Sequence, residues 1–190
     1  MKRITLSLLT AMLSIVMLSA QSREHALSLT TGPMRYHAKG LRIANGYRIG
    51  MAWQQSLGNR LYKVLSLGFG EDDGSYYQPE RWLEQATARD LYVGMGLGVN
   101  VLAYGRHRLY AHVTLGGNYL QGHETMTRGV EQQPEQSTIL ISRLSAGGTA
   151  TCGYSYQLVG PLGLSLEGEG MYLHDLGLTY SLRAGLSLRF

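Results

Sequence analysis

Residues 178–190 read Leu178-Thr179-Tyr180-Ser181-Leu182-Arg183-Ala184-Gly185-Leu186-Ser187-Leu188-Arg189-Phe190. Side chains on a strand alternate between two faces, so Leu178, Tyr180, Leu182, Ala184, Leu186, Leu188 and Phe190 share one side, and Thr179, Ser181, Arg183, Gly185, Ser187 and Arg189 the other. The first face suits hydrocarbon and the second a polar lumen. A soluble sandwich strand can alternate too, but it is usually shorter and rarely closes on an aromatic residue.

The ending, with Tyr180, Leu186, Leu188 and Phe190 on one face, resembles the C-terminal signal by which barrel proteins are handled by the outer-membrane assembly machinery. At the other end Lys2 and Arg3 precede an apolar run over 4–18, and Ser19, Ala20, Gln21 and Ser22 follow. That layout predicts a signal peptide over 1–20, with cleavage possible up to 22 and a barrel domain over 23–190. The apolar run falls short of the roughly 20 residues a spanning helix needs. No later segment is long and apolar enough, so strands must do any spanning.

The chain of 190 residues carries 17 Lys and Arg against 13 Asp and Glu, and loss of Lys2 and Arg3 with the leader brings the mature chain near neutrality. Direct nucleic-acid binding is therefore not expected. Cys152, the one cysteine, sits in an apolar stripe beside Ala150 and Tyr154 and reads as a small lipid-facing side chain. Glycine and tyrosine are abundant while proline is scarce, as strand-rich barrels require.

Eight alternating segments follow the leader, over 25–32, 46–55, 60–70, 90–101, 108–119, 144–156, 162–172 and 178–190. The fourth is the cleanest: Leu91, Val93, Met95, Leu97, Val99 and Val101 interleave with Asp90, Tyr92, Gly94, Gly96, Gly98 and Asn100. No helix tolerates that many glycines. Connections alternate long and short, with outer loops expected over 33–45, 71–89 and 121–137, and tight turns at 57–59, 104–106 and 159–161. Tyr47, Phe69, Tyr119, Tyr172 and Tyr180 then fall at the outer rim, and Tyr154, Tyr156 and Phe190 at the inner one. A soluble ligand barrel would invert the pattern and expose the glutamates and arginines. The expected fold is thus all-β, an eight-stranded antiparallel up-and-down transmembrane β-barrel in the bacterial outer membrane, with outer-membrane lipid as its surroundings.

In so narrow a barrel side chains fill the interior, so Arg48, Asp90, Arg108, His112, Glu167, Glu169, Arg183 and Arg189 are expected to form a lumenal polar network. Glu167 and Glu169 have the same-face spacing of a glycosidase-like dyad, but a closed lumen denies access to sugar chains. His112 and Thr114 resemble the His-x-Ser of lipid A deacylases with threonine in place of serine, and the register turns both inward. No catalytic residue, cofactor site or metal site is expected; His123, Glu124 and His174 show no ligand spacing. Tyr76, Tyr77, Arg81 and Trp82, in an expected outer loop, combine aromatics and charge suited either to partner contact or to resting on the rim.

Leu115-Gly116-Gly117-Asn118-Tyr119-Leu120-Gln121-Gly122-His123-Glu124-Thr125 resembles the Gly-Gly strand and Gly-aromatic-Glu-Thr approach to an outer loop in the TraO proteins of Bacteroides-type conjugative transposons, and Gly58-Asn59-Arg60 is similar to a turn of that family. The resemblance implies a non-catalytic structural or docking component of a conjugative DNA-transfer apparatus, acting with other transfer proteins. The alternative is a generic small barrel for envelope integrity, adhesion or surface binding, since fold does not fix function.

Overall fold

The computed structural model describes residues 24–37, 44–58, 60–78, 82–128, 135–174 and 177–190. The leader expected over 1–20, with its cleavage site up to 22, lies outside the described residues. Eight strands follow in order: β1 His25–His37, β2 Ala44–Ser56, β3 Leu61–Gln78, β4 Trp82–Tyr104, β5 His107–Arg128, β6 Glu135–Val159, β7 Leu162–Leu173 and β8 Gly177–Arg189. Each pairs antiparallel with its sequence neighbour, and β1 closes on β8. Closure matters because a bilayer offers no water to unpaired backbone groups.

Dyad periodicity sets which way the wall faces. Along β7 exposure alternates residue by residue, with Leu164 and Leu166 outside and Ser165, Glu167 and Glu169 inside. On β4 and β8, Leu97, Leu182, Leu186 and Leu188 are exposed while Asp90, Ser181, Arg183 and Ser187 are buried. Leu97 is 60% exposed and Arg48 1%, an inside-out distribution that is stable only if hydrocarbon surrounds the wall. The protein therefore resides in the bacterial outer membrane. Phe69, Leu91 and Tyr119 pair across β3, β4 and β5, which puts two ring side chains at one level of the outer face.

Two strand connections are very tight. Gly105 and Gly160 open the turns 105–106 and 160–161 with φ of 56° and 53°, a left-handed conformation that glycine adopts without a Cβ penalty. Together with 57–60 these turns mark the periplasmic end. Strand registers shift at Asn100/Leu102 and at Gln157/Val159, on the two strands that flank β5 at that same end.

The opposite end corrects the sequence reading. Most of 33–45, 71–89 and 121–137, expected as loops, is strand: pairing continues through Tyr36↔Ala44, Gln78↔Trp82 and Arg128↔Glu135. A transmembrane strand needs only about 9–11 residues. β7 and β8, of 12 and 13 residues, exceed that length by only one or two, whereas β4, β5 and β6 have 23, 22 and 25. Four strands thus rise past the bilayer as a sheet, and apolar alternation lapses there because no hydrocarbon meets that part. Among the described residues, β6 over 135–145 pairs only with β5 and β3 over 74–78 only with β4, so the raised sheet has two open edges. Tyr76, Tyr77 and Trp82 belong to β3 and β4, not to a loop, and Arg81 lies outside the described residues. His123 and Glu124 are likewise strand residues of β5.

Candidate functional site in the barrel lumen

Inward parity on four strands brings charged side chains to one level of the lumen: Arg48 from β2, Asp90 from β4, Glu167 and Glu169 from β7, and Arg183 from β8. Arg48 Nη1 donates to Asp90 Oδ2 at 2.9 Å, and Arg48 Nε lies 3.0 Å from Glu169 Oε1 as a charge contact. Arg183 Nη2 donates to Glu167 Oε2 at 3.0 Å and to Glu169 Oε2 at 2.9 Å. Such a buried cluster stands only if its remaining lone pairs are also met. Tyr110 donates its hydroxyl to Glu167 Oε1 at 2.7 Å and Thr30 to Oε2 at 3.1 Å. The Asn118 amide nitrogen, turned toward β4, reaches Asp90 Oδ2 at 3.0 Å and the Leu91 carbonyl at 3.2 Å.

A second layer is neutral. Thr114 Oγ1 lies 2.8 Å from the Tyr92 hydroxyl and 2.8 Å from Thr149 Oγ1, while Ser66 approaches at 3.4 Å. His112 takes a different partner, the Tyr62 hydroxyl at 3.3 Å from Nδ1, and its ring stacks on Tyr110. His112 and Thr114 therefore face the lumen, each bonded elsewhere, and no lipid acyl chain reaches them from the hydrocarbon side. Glu167 and Glu169 are both engaged by Arg183, which does not leave the free acid and base a glycosidase dyad needs.

The eight expected lumenal residues do not all meet. Arg48, Asp90, Glu167, Glu169 and Arg183 form the ion-paired centre. Arg189 is six positions beyond Arg183 on β8, roughly 20 Å of strand, so it cannot join them. With Arg108 it lines a cavity of about 410 Å³ at the periplasmic mouth. Arg108 Nε binds Asn100 Oδ1 and its guanidinium sits 5.5 Å from the Tyr62 ring centre, whereas Arg189 Nη2 donates to Ser155 Oγ at 2.9 Å.

Charge alone missed the tyrosines that fill the barrel. Tyr62, Tyr92 and Tyr110 are buried, and two of them lie over glycines directly across the sheet. A Cβ at Gly98 would come within 2.2 Å of the Tyr62 ring, and one at Gly153 within 2.4 Å of the Tyr110 ring. Inward-parity tyrosine facing inward-parity glycine on the next strand is the signal that would have found them. Side chains from all eight strands, from Thr30 on β1 to Arg183 on β8, thereby cross the interior.

The remaining expected residues lie elsewhere. Tyr180, Leu186, Leu188 and Phe190 are on the outer face, where Phe190 stacks on His25, itself stacked on Trp53. His174 sits in the turn after β7, and among the described residues no group of three or more His, Cys, Asp or Glu side chains is arranged to hold a metal ion.

Neither a scan against protein-family models nor a search of the curated proteins gives a match. Solved structures do match in fold. Neisserial surface protein A aligns with a TM-score of 0.59 at 13% identity, over 87% of this chain and 97% of its own. OprG, an outer membrane protein of Pseudomonas aeruginosa, aligns at 0.57 and 11% identity, over 89% and 96%. Ail, the attachment invasion locus protein of Yersinia pestis, aligns at 0.55 and 13% identity, over 90% and 100%. At such identities the likeness is one of architecture, the closed outer-membrane barrel.

Proposed function

We propose that the protein is a non-catalytic docking protein of the outer-membrane surface, with the raised sheet of β3–β6 as the element that meets a partner and the filled lumen as its rigid footing. The observation that carries this reading is the extent of β3–β6 beyond the bilayer, with edges on β3 and β6 that no further strand pairs among the described residues. An open edge presents unpaired N–H and C=O groups in a row, to which an extended segment can add as a further strand. Residues 138–142, Thr138-Ile139-Leu140-Ile141-Ser142, have the β-branched and apolar composition that such pairing favours, and Tyr76, Tyr77 and Trp82 belong to the same sheet. Among solved barrels of this architecture, Ail is named for attachment and invasion and has been crystallised with the heparin analogue sucrose octasulfate. That precedent favours surface binding or adhesion as the general role.

The narrower form of the reading makes the partner another protein of a conjugative transfer apparatus. It draws support from the resemblance of residues 115–125 to the TraO proteins, since this stretch runs along β5 from the wall into the raised sheet. DNA itself has no path through a lumen filled by side chains. Delivery would follow the proposed leader over 1–20 and assembly the proposed signal at Tyr180, Leu186, Leu188 and Phe190.

The test uses a deletion strain complemented with the full chain or with one whose two hairpins are cut at 74–86 and 123–140 and closed by two-residue turns. Both proteins must show heat-modifiable migration. Loss of surface cross-links to a partner in the shortened form supports docking. Equal cross-linking and equal restoration of every deletion phenotype by the shortened form removes it. A mating frequency unchanged by gene deletion removes the transfer reading alone and leaves general surface binding.

A further inference from the structure

The periplasmic mouth differs from the rest of the lumen in its charge balance. At the centre three carboxylates serve two guanidiniums. In the mouth Arg108 and Arg189 line one cavity, and among the described residues no carboxylate comes within 4 Å of either. Glu24 is the one acidic side chain lining that cavity, which Phe190 also lines at its rim, and Gln54, Ser56 and Gln157 stand as neutral hydrogen-bonding neighbours. Arg60 and Arg106 on the adjoining turns are exposed and add to the positive field.

From this geometry we propose that the mouth is an oxyanion-binding site, in which Arg108 and Arg189 hold a phosphate or carboxylate group entering from the periplasm. The arrangement goes beyond the docking reading and does not depend on it. Two like charges in one narrow opening repel, yet Arg108 is held there by Asn100 on one side and the Tyr62 ring beneath it. Those contacts engage Nε and the face of the guanidinium, and among the described residues neither terminal nitrogen makes a hydrogen bond, so both stay available for the fork geometry that suits carboxylate and phosphate. Both register shifts of the barrel fall on β4 and β6 beside this site, at Asn100 and Gln157, and bulges commonly re-aim side chains at barrel rims. A volume of about 410 Å³ admits a small molecule or a headgroup, not a polymer. The same chemistry could be met by a soluble periplasmic anion or by the phosphate of an inner-leaflet phospholipid.

The experiment is a nuclear magnetic resonance titration of the full mature chain in maltoside micelles, which contain no phosphate, with inorganic phosphate at constant ionic strength set by chloride. Saturable shifts of the Gly105, Gln157 and Arg189 amides are expected. Arg108→Gln and Arg189→Gln should each weaken binding about tenfold, the loss expected for one charged hydrogen bond. Glu24→Gln should tighten it, and Arg106→Gln on the exposed turn should change it little. A short-chain phosphatidylglycerol arm identifies the source: saturation at lower concentration than phosphate marks the headgroup, and saturation at equal or higher concentration marks a soluble anion. Shifts that grow linearly with phosphate, or that saturate equally in Arg108→Gln and Arg189→Gln proteins with normal heat-modifiable migration, overturn the site. Should either arginine variant fail to fold, the Glu24→Gln response decides, and unchanged affinity there overturns it as well.

Discussion

Arg48 on β2 and Arg183 on β8 are joined through the two oxygens of a single carboxylate, Glu169, with Oε1 3.0 Å from Arg48 Nε and Oε2 2.9 Å from Arg183 Nη2. The link crosses the lumen and is independent of the backbone hydrogen bonds of the wall. Its partners are shared unequally. Without Glu169, Arg48 still holds Asp90 and Arg183 still holds Glu167. Without Arg183, Glu167 loses its one guanidinium and Glu169 keeps only Arg48.

Arg183→Gln should therefore cost more than Glu169→Gln. Removing one partner of a buried ion pair typically costs about 3–5 kcal/mol, because the other charge is left uncompensated. The arginine variant belongs in that range. For the glutamate variant each arginine keeps one acid, and a loss of about 1–2 kcal/mol is expected from the hydrogen bonds alone. Denaturant unfolding of both proteins in the same vesicles gives the order, and a larger loss for Glu169→Gln would contradict the shared-carboxylate account.

Two glycine substitutions separate the inside of the wall from the outside. At Gly98 a Cβ would stand 2.2 Å from the Tyr62 ring, which is held by hydrogen bonds to the Ala111 carbonyl and His112 and by the Arg108 guanidinium over its face; at Gly168, on the lipid face, it would meet nothing within 4 Å. Gly98→Ala should destabilise by about 1–3 kcal/mol, as overpacking does, while Gly168→Ala should be neutral or slightly stabilising. Pairing Gly98→Ala with Tyr62→Ser should then cost less than the sum of the two single changes. Unfolding midpoints of the four proteins check both points.

Much of this wall was legible in the chain because hydrocarbon enforces the alternation. Leu91 to Val99 show it so regularly that face and register followed at once, and Arg48, Glu167 and Arg183 fell inward by parity. Legibility stopped where that constraint stopped. Beyond Phe69 and Tyr119 both faces of the raised strands can be polar, so Glu71 to Gln78 and Gln121 to Arg128 read as loop although they pair in register with their neighbours. Within the lumen, sign of charge did not reveal depth. Arg108 and Arg189 have the same parity as Arg183 but sit at the mouth, and only position along the strand distinguishes them.

A charge placed on the outer face should report depth in the bilayer. Leu97 lies midway along the apolar stretch of β4, with Met95 and Val99 on either side on the same face, whereas Tyr104 ends the strand at the periplasmic turn. Arginine at the midplane of a barrel costs about 2–4 kcal/mol and falls to about 0–1 near the interface. Leu97→Arg should show the first figure and Tyr104→Arg the second, in reversible unfolding from phospholipid vesicles. Equal small costs at both positions would mean that Leu97 does not face hydrocarbon.

Cys152 gives the most direct reading of what surrounds the wall. It is exposed, and it pairs with Ala111 on β5 and Gly168 on β7, so it opens onto the space outside the barrel. In water such a thiol would be readily alkylated. A charged reagent does not leave water for hydrocarbon, so it cannot reach a side chain that lipid covers. In vesicles the folded protein should resist a membrane-impermeant maleimide at Cys152 and react fully once unfolded in urea, with the rate of labelling following the rate of unfolding. Rapid labelling of the folded, vesicle-embedded chain would put water where the leucines require lipid, and the inside-out reading of the barrel would fail with it.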